Sequence, residues 1–383
     1  MSFNSKKSVI FVPYKPHLKS FFEQLSISDT SKFFLVLPWD KTVCPRSDSL
    51  KSTITKHQWF GLRIINKFIK YQVHIPVYLS KIDKIFSDNN ADTLVVFDFY
   101  HWYTFQCVRY VKKHPDVSLI IISETKRWPK NKMSYLMMRL FIDRLVSNQR
   151  HVSKILVYSN DGYEWWSSLN SGLSIELFPA PVDTCVFSSK LERQWMPEGT
   201  LRVLMNARYA PYKRHEDLLQ AVHRLRDAGK KVHITLIGRA DNGRQQVEQL
   251  VKGYGLEDVV TFLDPLPMEE MPGLYHTHDV LVLPSYNEAI GMVVPEAMAC
   301  GIPTITSDTV GANVYVEAGE TGYIFPTGDV TSLTERLLSC YDSVNLQRMG
   351  VAARNEVEEN YSLDVIAKKL LTTLREQSEK DTK

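Results

Sequence analysis

The sequence is poor in the features that mark a secreted, disulfide-bonded or membrane-spanning protein. Its cysteines are odd in number, widely spaced and without a CxxC pair, which argues against disulfides and a zinc site and fits a reducing compartment. They are Cys44, Cys107, Cys185, Cys300 and Cys340. No apolar run approaches the roughly 18 residues of a membrane span, and the first apolar run is too short for a signal peptide. The sequence therefore predicts a soluble, cytoplasmic protein.

The formal net charge is small, but the charge is unevenly distributed along the chain. Residues 1–190 contain 26 lysines and arginines against 15 aspartates and glutamates, whereas residues 191–383 contain 20 against 28. The basic half is therefore predicted to face an anionic partner: a membrane surface, a charged glycan or nucleic acid. Nucleic acid is the least favoured of the three, because the basic residues lack an interleaved aromatic recognition motif.

Short apolar runs alternate with helical segments, and 383 residues are enough to fill two hydrophobic cores. In the first half the runs are typical of buried parallel strands, and the segments between them are long enough for crossover helices. The runs are residues 8–12, 33–37, 93–97, 119–122 and 155–158. This pattern predicts a doubly wound α/β domain.

The stretch LPSYNEAIGMVVPEAMACG, residues 283–301, predicts a strand, a loop and the start of a helix. The first helical N–H groups at such a junction point into the loop and stabilise an anionic or hydroxyl-rich ligand. Glu288 lies before the helix and Glu296 about one turn inside it, so one ligand could contact both. The alternative is that Glu288 caps the helix and Glu296 is an ordinary exposed acid.

The glutamate pair resembles the E-x7-E signature of the retaining glycosyltransferases of family GT4, which have the two-domain GT-B fold. The resemblance extends to the flanking Pro284-Ser285, the continuation EAMACGIPTI and the segment GETGYIF at 319–325, and it is best over residues 178–362. It implies two Rossmann-like doubly wound domains facing across a cleft. Residues 1–189 would form the acceptor-side domain, residues 190–362 the donor-binding domain, and residues 363–378 a helix packing back on the first.

The same resemblance implies roles for individual residues. Arg208 and Lys213 would hold the diphosphate of the sugar donor, Glu296 the ribose hydroxyls and Glu288 the donor sugar, with Arg208, Lys213 and Glu288 as the catalytic group. The remaining donor-binding residues are Gly238, Leu266, Ala289, Ile290, Gly291, Met292 and Val293. No D-x-D motif, which holds a metal on the diphosphate in the other major glycosyltransferase fold, occurs in the chain. We therefore expect no metal and no cofactor beyond the nucleotide sugar as co-substrate.

Candidate acceptor residues follow two predicted strands of the first domain, at the edge where open α/β sheets bind ligands. His101 follows the strand at 93–97, and Ser123-Glu124 follows the strand at 119–122. GT4 enzymes often carry a histidine after the second of these strands, where this chain has Ser123-Glu124. Either His101 or Glu124 is the candidate replacement, although a lone histidine at a strand end is often structural.

Two basic segments of the first half suit the headgroup region of an anionic membrane. Lys56, Arg63, Lys67 and Lys70 form a stripe on a predicted helix, next to Trp59, and the alternative is a core helix with a solvated face. Lys126, Arg127, Lys130 and Lys132 precede the apolar segment 135–145. They favour a peripheral location on the inner face of the membrane.

Together, these patterns predict a retaining, metal-independent glycosyltransferase of polysaccharide or glycoconjugate biosynthesis. It would move a sugar from a nucleotide-diphosphate sugar to a glycan or lipid-linked acceptor. The alternatives are a GT-B epimerase, which turns over nucleotide sugar without an acceptor, a phosphorylase, or a binding module that lost the chemistry.

Overall fold

The chain folds into two compact units, each with its own parallel sheet. The computed structural model describes residues 8–12, 32–35, 91–100, 102–129, 131–169, 171–189, 193–239 and 242–380. Unit 1 comprises Met1–Phe178 and Leu363–Lys383, and unit 2 comprises Pro179–Ser362. The division precedes the expected boundary at 189/190, because Val182 and Phe187 are buried in the core of unit 2.

Unit 1 contains a six-stranded sheet in the order β2-β1-β3-β4-β5-β6, with all strands parallel. The strands are β1 (Ser8–Val12), β2 (Lys32–Leu35), β3 (Ala91–Phe97), β4 (Ser118–Ser123), β5 (Lys154–Val157) and β6 (Ile175–Leu177). All residues of β4 are buried, as expected where helices cover both faces of a parallel sheet. The five expected strands are confirmed to within two residues at either end.

Among the described residues, three helices of unit 1 connect consecutive strands. They are α1 (Trp102–Lys113), α2 (Lys132–Val146) and α3 (Asn160–Ser168). Asn131 caps α2, since its side chain accepts from the backbone N–H groups of Met133 and Ser134. Phe105 of α1 stacks on Phe141 of α2 with ring centroids 5.1 Å apart, so the two helices pack side by side.

Unit 2 contains a second six-stranded parallel sheet, in the order β12-β11-β10-β7-β8-β9. Its strands are β7 (Leu201–Asn206), β8 (Val232–Ile237), β9 (Val260–Leu263), β10 (Val280–Leu283), β11 (Thr304–Ser307) and β12 (Gly322–Phe325). Its helices are α4 (His215–Asp227), α5 (Asn242–Gly253), α6 (Met271–His276), α7 (Val293–Ala299), α8 (Val330–Ser339) and α9 (Ser343–Asn360). The strand order reverses between β7 and β10, and ligands of open α/β sheets bind at such a switch point.

The last helix, α10 (Leu363–Lys380), belongs to unit 1. Its Ile366 and Leu370 are buried, and Nζ of Lys369 donates to the carbonyl of Leu177, 2.8 Å away. Val182 and Tyr361 lie in unit 2, close to the two points at which the chain passes from one unit to the other. The N–H of Val182 donates to the carbonyl of Tyr361 at 2.9 Å. No helix among the described residues has the length and hydropathy needed to cross a bilayer.

Several sequence predictions lie outside the described residues. They concern the stripe Lys56, Arg63, Lys67 and Lys70 with Trp59, together with Lys130 and His101.

Candidate functional site

The candidate site of unit 2 forms where the loops after β7 and β10 meet. These strands are neighbours in the sheet, so their following loops leave from the same edge. The N–H of Tyr286 donates to the carbonyl of Tyr212 at 2.7 Å, which ties one loop to the other. The charged residues of both loops are thereby brought into one place.

A short helical turn positions Lys213, which is a cation of the site. The turn Pro211–Lys213 ends at Arg214, whose φ of 55° places it in the left-handed region, so the chain reverses before α4 begins. The guanidinium of Arg214 forms two hydrogen bonds with the buried carboxylate of Asp217 at 2.9 and 2.7 Å, which holds this conformation. Burial and the nearby Lys213 lower the pKa of His215 to about 4, so His215 adds no positive charge at neutral pH.

Lys213 and Glu288 come together across the two loops. Nζ of Lys213 donates to Oε2 of Glu288, and the lysine is 8% exposed. Helix α7 begins without a side-chain cap, so the alternative in which Glu288 only caps this helix is wrong. A buried ammonium is costly unless it is paired, and Glu288 supplies the compensating charge.

The segment after β11 contacts the loop that carries Glu288 and fixes its backbone. The N–H of Gly311 donates to the carbonyl of Glu288 at 2.9 Å, and a Cβ on Gly311 would lie 1.9 Å from the carbonyl oxygen of Ala289. Only glycine permits this close approach. Gly291 has a φ of 73° and is buried, while Ile290, Met292 and Val293 are half-buried. The backbone from 288 to 293 is thus fixed next to the Lys213 pair.

Tyr212 connects the two cations and was missed from the sequence. The exposed Arg208 donates from Nη2 to the hydroxyl of Tyr212 at 2.7 Å. Nζ of Lys213 lies 5.7 Å from the centre of the same ring, within the range of a cation–π contact. An aromatic residue beside a lysine has no sequence pattern that distinguishes it from a packing residue, so only the fold shows this arrangement.

Glu296 lies in the first turn of α7 and is not an ordinary exposed acid. Its Oε2 accepts from the hydroxyl of Tyr275 at 3.1 Å, and Tyr275 is fully buried. Burial raises the pKa of Glu296 to about 7, while the hydrogen bond from Tyr275 acts in the opposite direction. The alternative in which Glu296 is a solvated helical acid is therefore wrong. Tyr275 was also missed, since 21 residues separate it from Glu296.

Two further predicted donor residues lie at the ends of β8 and β9. Gly238 directly follows β8, and a Cβ there would lie 2.2 Å from the carbonyl oxygen of Ala207, so the backbones of these loops approach closely. Leu266 is half-buried and packs against the core of unit 2. Asp264, which precedes it, pairs with Arg244 at 2.9 Å and is exposed. Neither Gly238 nor Leu266 has a side-chain group that could act in chemistry, so any contribution comes from backbone and shape.

Unit 1 brings Glu124 close to two residues that the sequence did not single out. The buried Asp98 has a φ of 63°, and its carboxylate accepts from the N–H of Glu124 at 3.2 Å and from the hydroxyl of Tyr100 at 2.8 Å. Burial, reinforced by Asp98, raises the pKa of Tyr100 well above its usual range, so its hydroxyl stays protonated. Backbone strain of this kind often accompanies functional sites.

No cluster of three or more His, Cys, Asp or Glu side chains suited to a metal occurs in the part of the chain that the structure describes. Independence from metals stays a prediction.

A comparison with protein families finds a match for most of unit 2. Residues 189–356 match the family described as glycosyl transferases group 1. This part of the chain is similar to that family, and the match covers less than half of the chain. The group 1 domain contains Arg208, Lys213, Glu288 and Glu296, so the family resemblance carried by the glutamate pair is confirmed.

The curated relatives align with about half of the chain. A D-inositol 3-phosphate glycosyltransferase of Streptomyces bingchenggensis is 31% identical over 228 residues, which cover 56% of this chain and 49% of that protein. A protein of the same name from Corynebacterium diphtheriae is 34% identical over 207 residues, covering 52% of this chain and 48% of the relative. The chain thus spans about half the length of the curated relatives it matches.

Solved structures resemble almost the whole chain. A glycosyltransferase from Rickettsia africae has a TM-score of 0.72 at 14% identity and covers 98% of this chain and 99% of its own. A sucrose-phosphate synthase from Thermosynechococcus elongatus has a TM-score of 0.70 at 17% identity, covering 97% and 99%. The Anabaena protein HepE, in complex with UDP and glucose, has a TM-score of 0.68 at 15% identity, covering 97% and 100%. These likenesses, with the two parallel-sheet α/β units, confirm the expected GT-B fold class.

Proposed function

We propose that the chain transfers a sugar from a nucleotide-diphosphate sugar to a glycan or lipid-linked acceptor. The contact between Lys213 and Glu288 at the switch point of a group 1 domain carries this proposal. Lys213, with Arg208 nearby, would meet the diphosphate of the donor, and Glu288 would meet its sugar.

The chemistry follows from the charge that develops on the leaving group. As the bond between the sugar and the diphosphate breaks, negative charge grows on the diphosphate, and fixed cations stabilise that growth. Lys213, which pairs with Glu288, and Arg208, which contacts the neighbouring Tyr212, would supply the positive charge that a metal provides elsewhere. Glu296 would accept hydrogen bonds from the ribose hydroxyls.

The stereochemical outcome and the acceptor are inferred from the family resemblance and from the relatives. We infer retention of configuration at the sugar, and a place in polysaccharide or glycoconjugate biosynthesis, from the family resemblance that the pair Glu288 and Glu296 carries. HepE was solved with UDP and glucose, which makes UDP-glucose the first donor to test. The name of the curated relatives makes inositol 3-phosphate the first soluble acceptor.

An anionic membrane surface is the proposed partner of the basic first half, where a lipid-linked acceptor would be found. This would make the protein peripheral on the cytoplasmic face. The excess of cations in residues 1–190 supports the proposal.

Thermal shift with a panel of nucleotides and nucleotide sugars tests the donor site. A ligand at about 100 times its dissociation constant stabilises the folded state by about 2.7 kcal/mol, which raises Tm by several degrees. A transfer assay with the donor that gives a shift, with and without acceptors, then separates the activities. Conversion of the donor sugar without an acceptor would indicate an epimerase, and no shift with any nucleotide sugar would contradict the proposal.

A further inference from the structure

Helix α2 of unit 1 exposes large apolar side chains on the face that points away from the core. Met133, Leu136 and Leu140 are 62%, 54% and 62% exposed. We call these three residues the α2 stripe. At about 100° per residue they lie within about 60° of one another around the helix axis. Phe141, Ile142 and Leu145 are buried on the opposite side, so the helix is apolar on two faces, and the residues that the structure describes cover only one of them.

Exposed apolar residues scattered singly need no explanation, but adjacent ones on one helix face do. Each leucine left in water forgoes most of the transfer free energy that burial would provide. The α2 stripe is therefore a candidate contact surface, and the charges around it indicate which partner it fits.

Cations surround the α2 stripe. Lys132 and Arg139 of α2 are exposed beside it, and the acid of this helix, Asp143, already pairs with Arg139 at 3.0 Å. Arg144 lies about 40° around the axis from Leu140 and continues the stripe toward the end of the helix. A surface that is apolar in the middle and basic at its edge has the pattern of helices that bind anionic lipid interfaces.

Arg144 also belongs to a basic pocket between α1 and α2. With Arg109 and Lys112 of α1 it lines a cavity of about 230 Å³, whose other walls are Phe105, Gln106, Val108 and Asn148. Arg144 lies over the ring of Phe105, with Cζ 5.3 Å from the centroid. We call Arg109, Lys112 and Arg144 the basic pocket. Three cations around a space of this size suit a phosphate group.

We propose that α2 lies in the headgroup region of an anionic membrane, with the α2 stripe inserted and the basic pocket holding a lipid phosphate. A second copy of the chain fits this surface poorly, because related copies would bring cations toward cations. Each lysine or arginine near an anionic surface contributes about 1 kcal/mol, so the basic pocket and its neighbours give salt-sensitive binding.

The position of α2 relates this docking to the candidate acceptor residue Glu124. The helix starts one short loop after β4, so its first turn lies at the edge of the sheet that carries Glu124, and a membrane on the α2 stripe would adjoin that edge. This link to the acceptor rests on the proposed sugar transfer, and the docking itself rests on the membrane partner proposed for the first half.

The test is co-sedimentation of the full chain with vesicles of phosphatidylcholine alone or mixed with phosphatidylglycerol, at low and high salt. Wild type should bind the mixed vesicles at low salt. The double variant Leu136→Glu/Leu140→Glu should bind at least about tenfold more weakly, because two inserted side chains become charged. The matched control is Val344→Glu/Val351→Glu on α9 of unit 2, where both valines are exposed. The control should bind as wild type does.

Two further double variants distinguish the contribution of the inserted apolar side chains from that of the positive charges. Lys112→Gln/Arg144→Gln should lower binding by roughly tenfold or more at low salt and reduce its salt dependence. Leu136→Gln/Leu140→Gln provides an uncharged version of the first variant and should also weaken binding. Wild type that fails to bind mixed vesicles at low salt would overturn the inference, as would leucine variants that bind like wild type. Thermal shift by nucleotide sugars, measured on the same samples, reports on the donor site alone, so its failure would contradict the proposed sugar transfer and not this docking.

Discussion

The ammonium of Lys213 contacts the carboxylate of Glu288, although 75 residues separate them in the sequence. The pairing means that neither charge is left uncompensated in the absence of ligand. A donor diphosphate would then compete with Glu288 for Lys213, and the released carboxylate would be free to meet the sugar. The contact therefore couples the two halves of the candidate donor site.

This coupling predicts the effect of removing either residue. Glu288→Gln and Lys213→Ala should each reduce sugar transfer by at least about tenfold while the fold survives, because both act on charge at the reacting end of the donor. The double variant should lose little more than the worse single variant, since residues that act as a unit are not additive. The control is Glu320→Gln, which breaks the exposed pair of Glu320 with Arg348 in the same unit. Near-wild-type turnover in either single variant would remove that residue from the site.

The pKa of Glu296 predicts a pH dependence of donor binding. Its folded-state value is about 7, above the ordinary range of a glutamate, so ionisation of Glu296 lowers stability as pH rises from about 4.5 to about 7. The ionised form accepts hydrogen bonds from ribose hydroxyls better, so affinity for a nucleotide sugar should rise over the upper part of this window.

Calorimetric titration between pH 5.5 and pH 8.5 measures this dependence, with a nucleotide sugar whose diphosphate does not itself titrate there. Tyr275→Phe removes the hydrogen bond that lowers the pKa of Glu296, so the midpoint should move to higher pH. Glu296→Gln should remove the dependence altogether. An unchanged midpoint in Tyr275→Phe would show that the hydroxyl does not act on Glu296.

Gly238 provides a prediction about stability. An alanine there would bring its Cβ to 2.2 Å from the carbonyl oxygen of Ala207, and overpacking of this kind typically costs about 1–3 kcal/mol. Gly238→Ala should therefore lower Tm by several degrees. Gly253→Ala is the matched control, because a Cβ at Gly253 meets nothing within 4 Å. Equal melting temperatures of the two variants would contradict the close approach of these loops.

Metal independence is tested directly on activity. Transfer should persist in excess EDTA, since Arg208 and Lys213 would supply the charge that a metal provides elsewhere. The measurement compares initial rates with and without chelator at saturating donor. Full loss of activity, restored by Mg²⁺ or Mn²⁺, would defeat this expectation.

The sequence predicted five strands of the first sheet because parallel strands are buried on both faces and appear as uninterrupted apolar runs. Strand β6 was missed because a run of three residues carries no such pattern. The charged members of the candidate site were found through the family resemblance, whereas Tyr212 and Tyr275 were not, since their contacts exist only after folding. Helix α2 was expected as an apolar segment, but apolar residues around most of a helix do not show which face is covered.

Helix α10 is part of unit 1 but follows unit 2 in the sequence, so unit 1 is the last to be completed during synthesis. Unit 2, Pro179–Ser362, is synthesised before α10 and leaves the ribosome ahead of it. Unit 2 can therefore complete its core while unit 1 still lacks Ile366 and Leu370, which its core buries. A chain truncated after Ser362 should bind nucleotide sugar as well as the full chain does, yet carry an unfinished first unit open to chaperones and proteases.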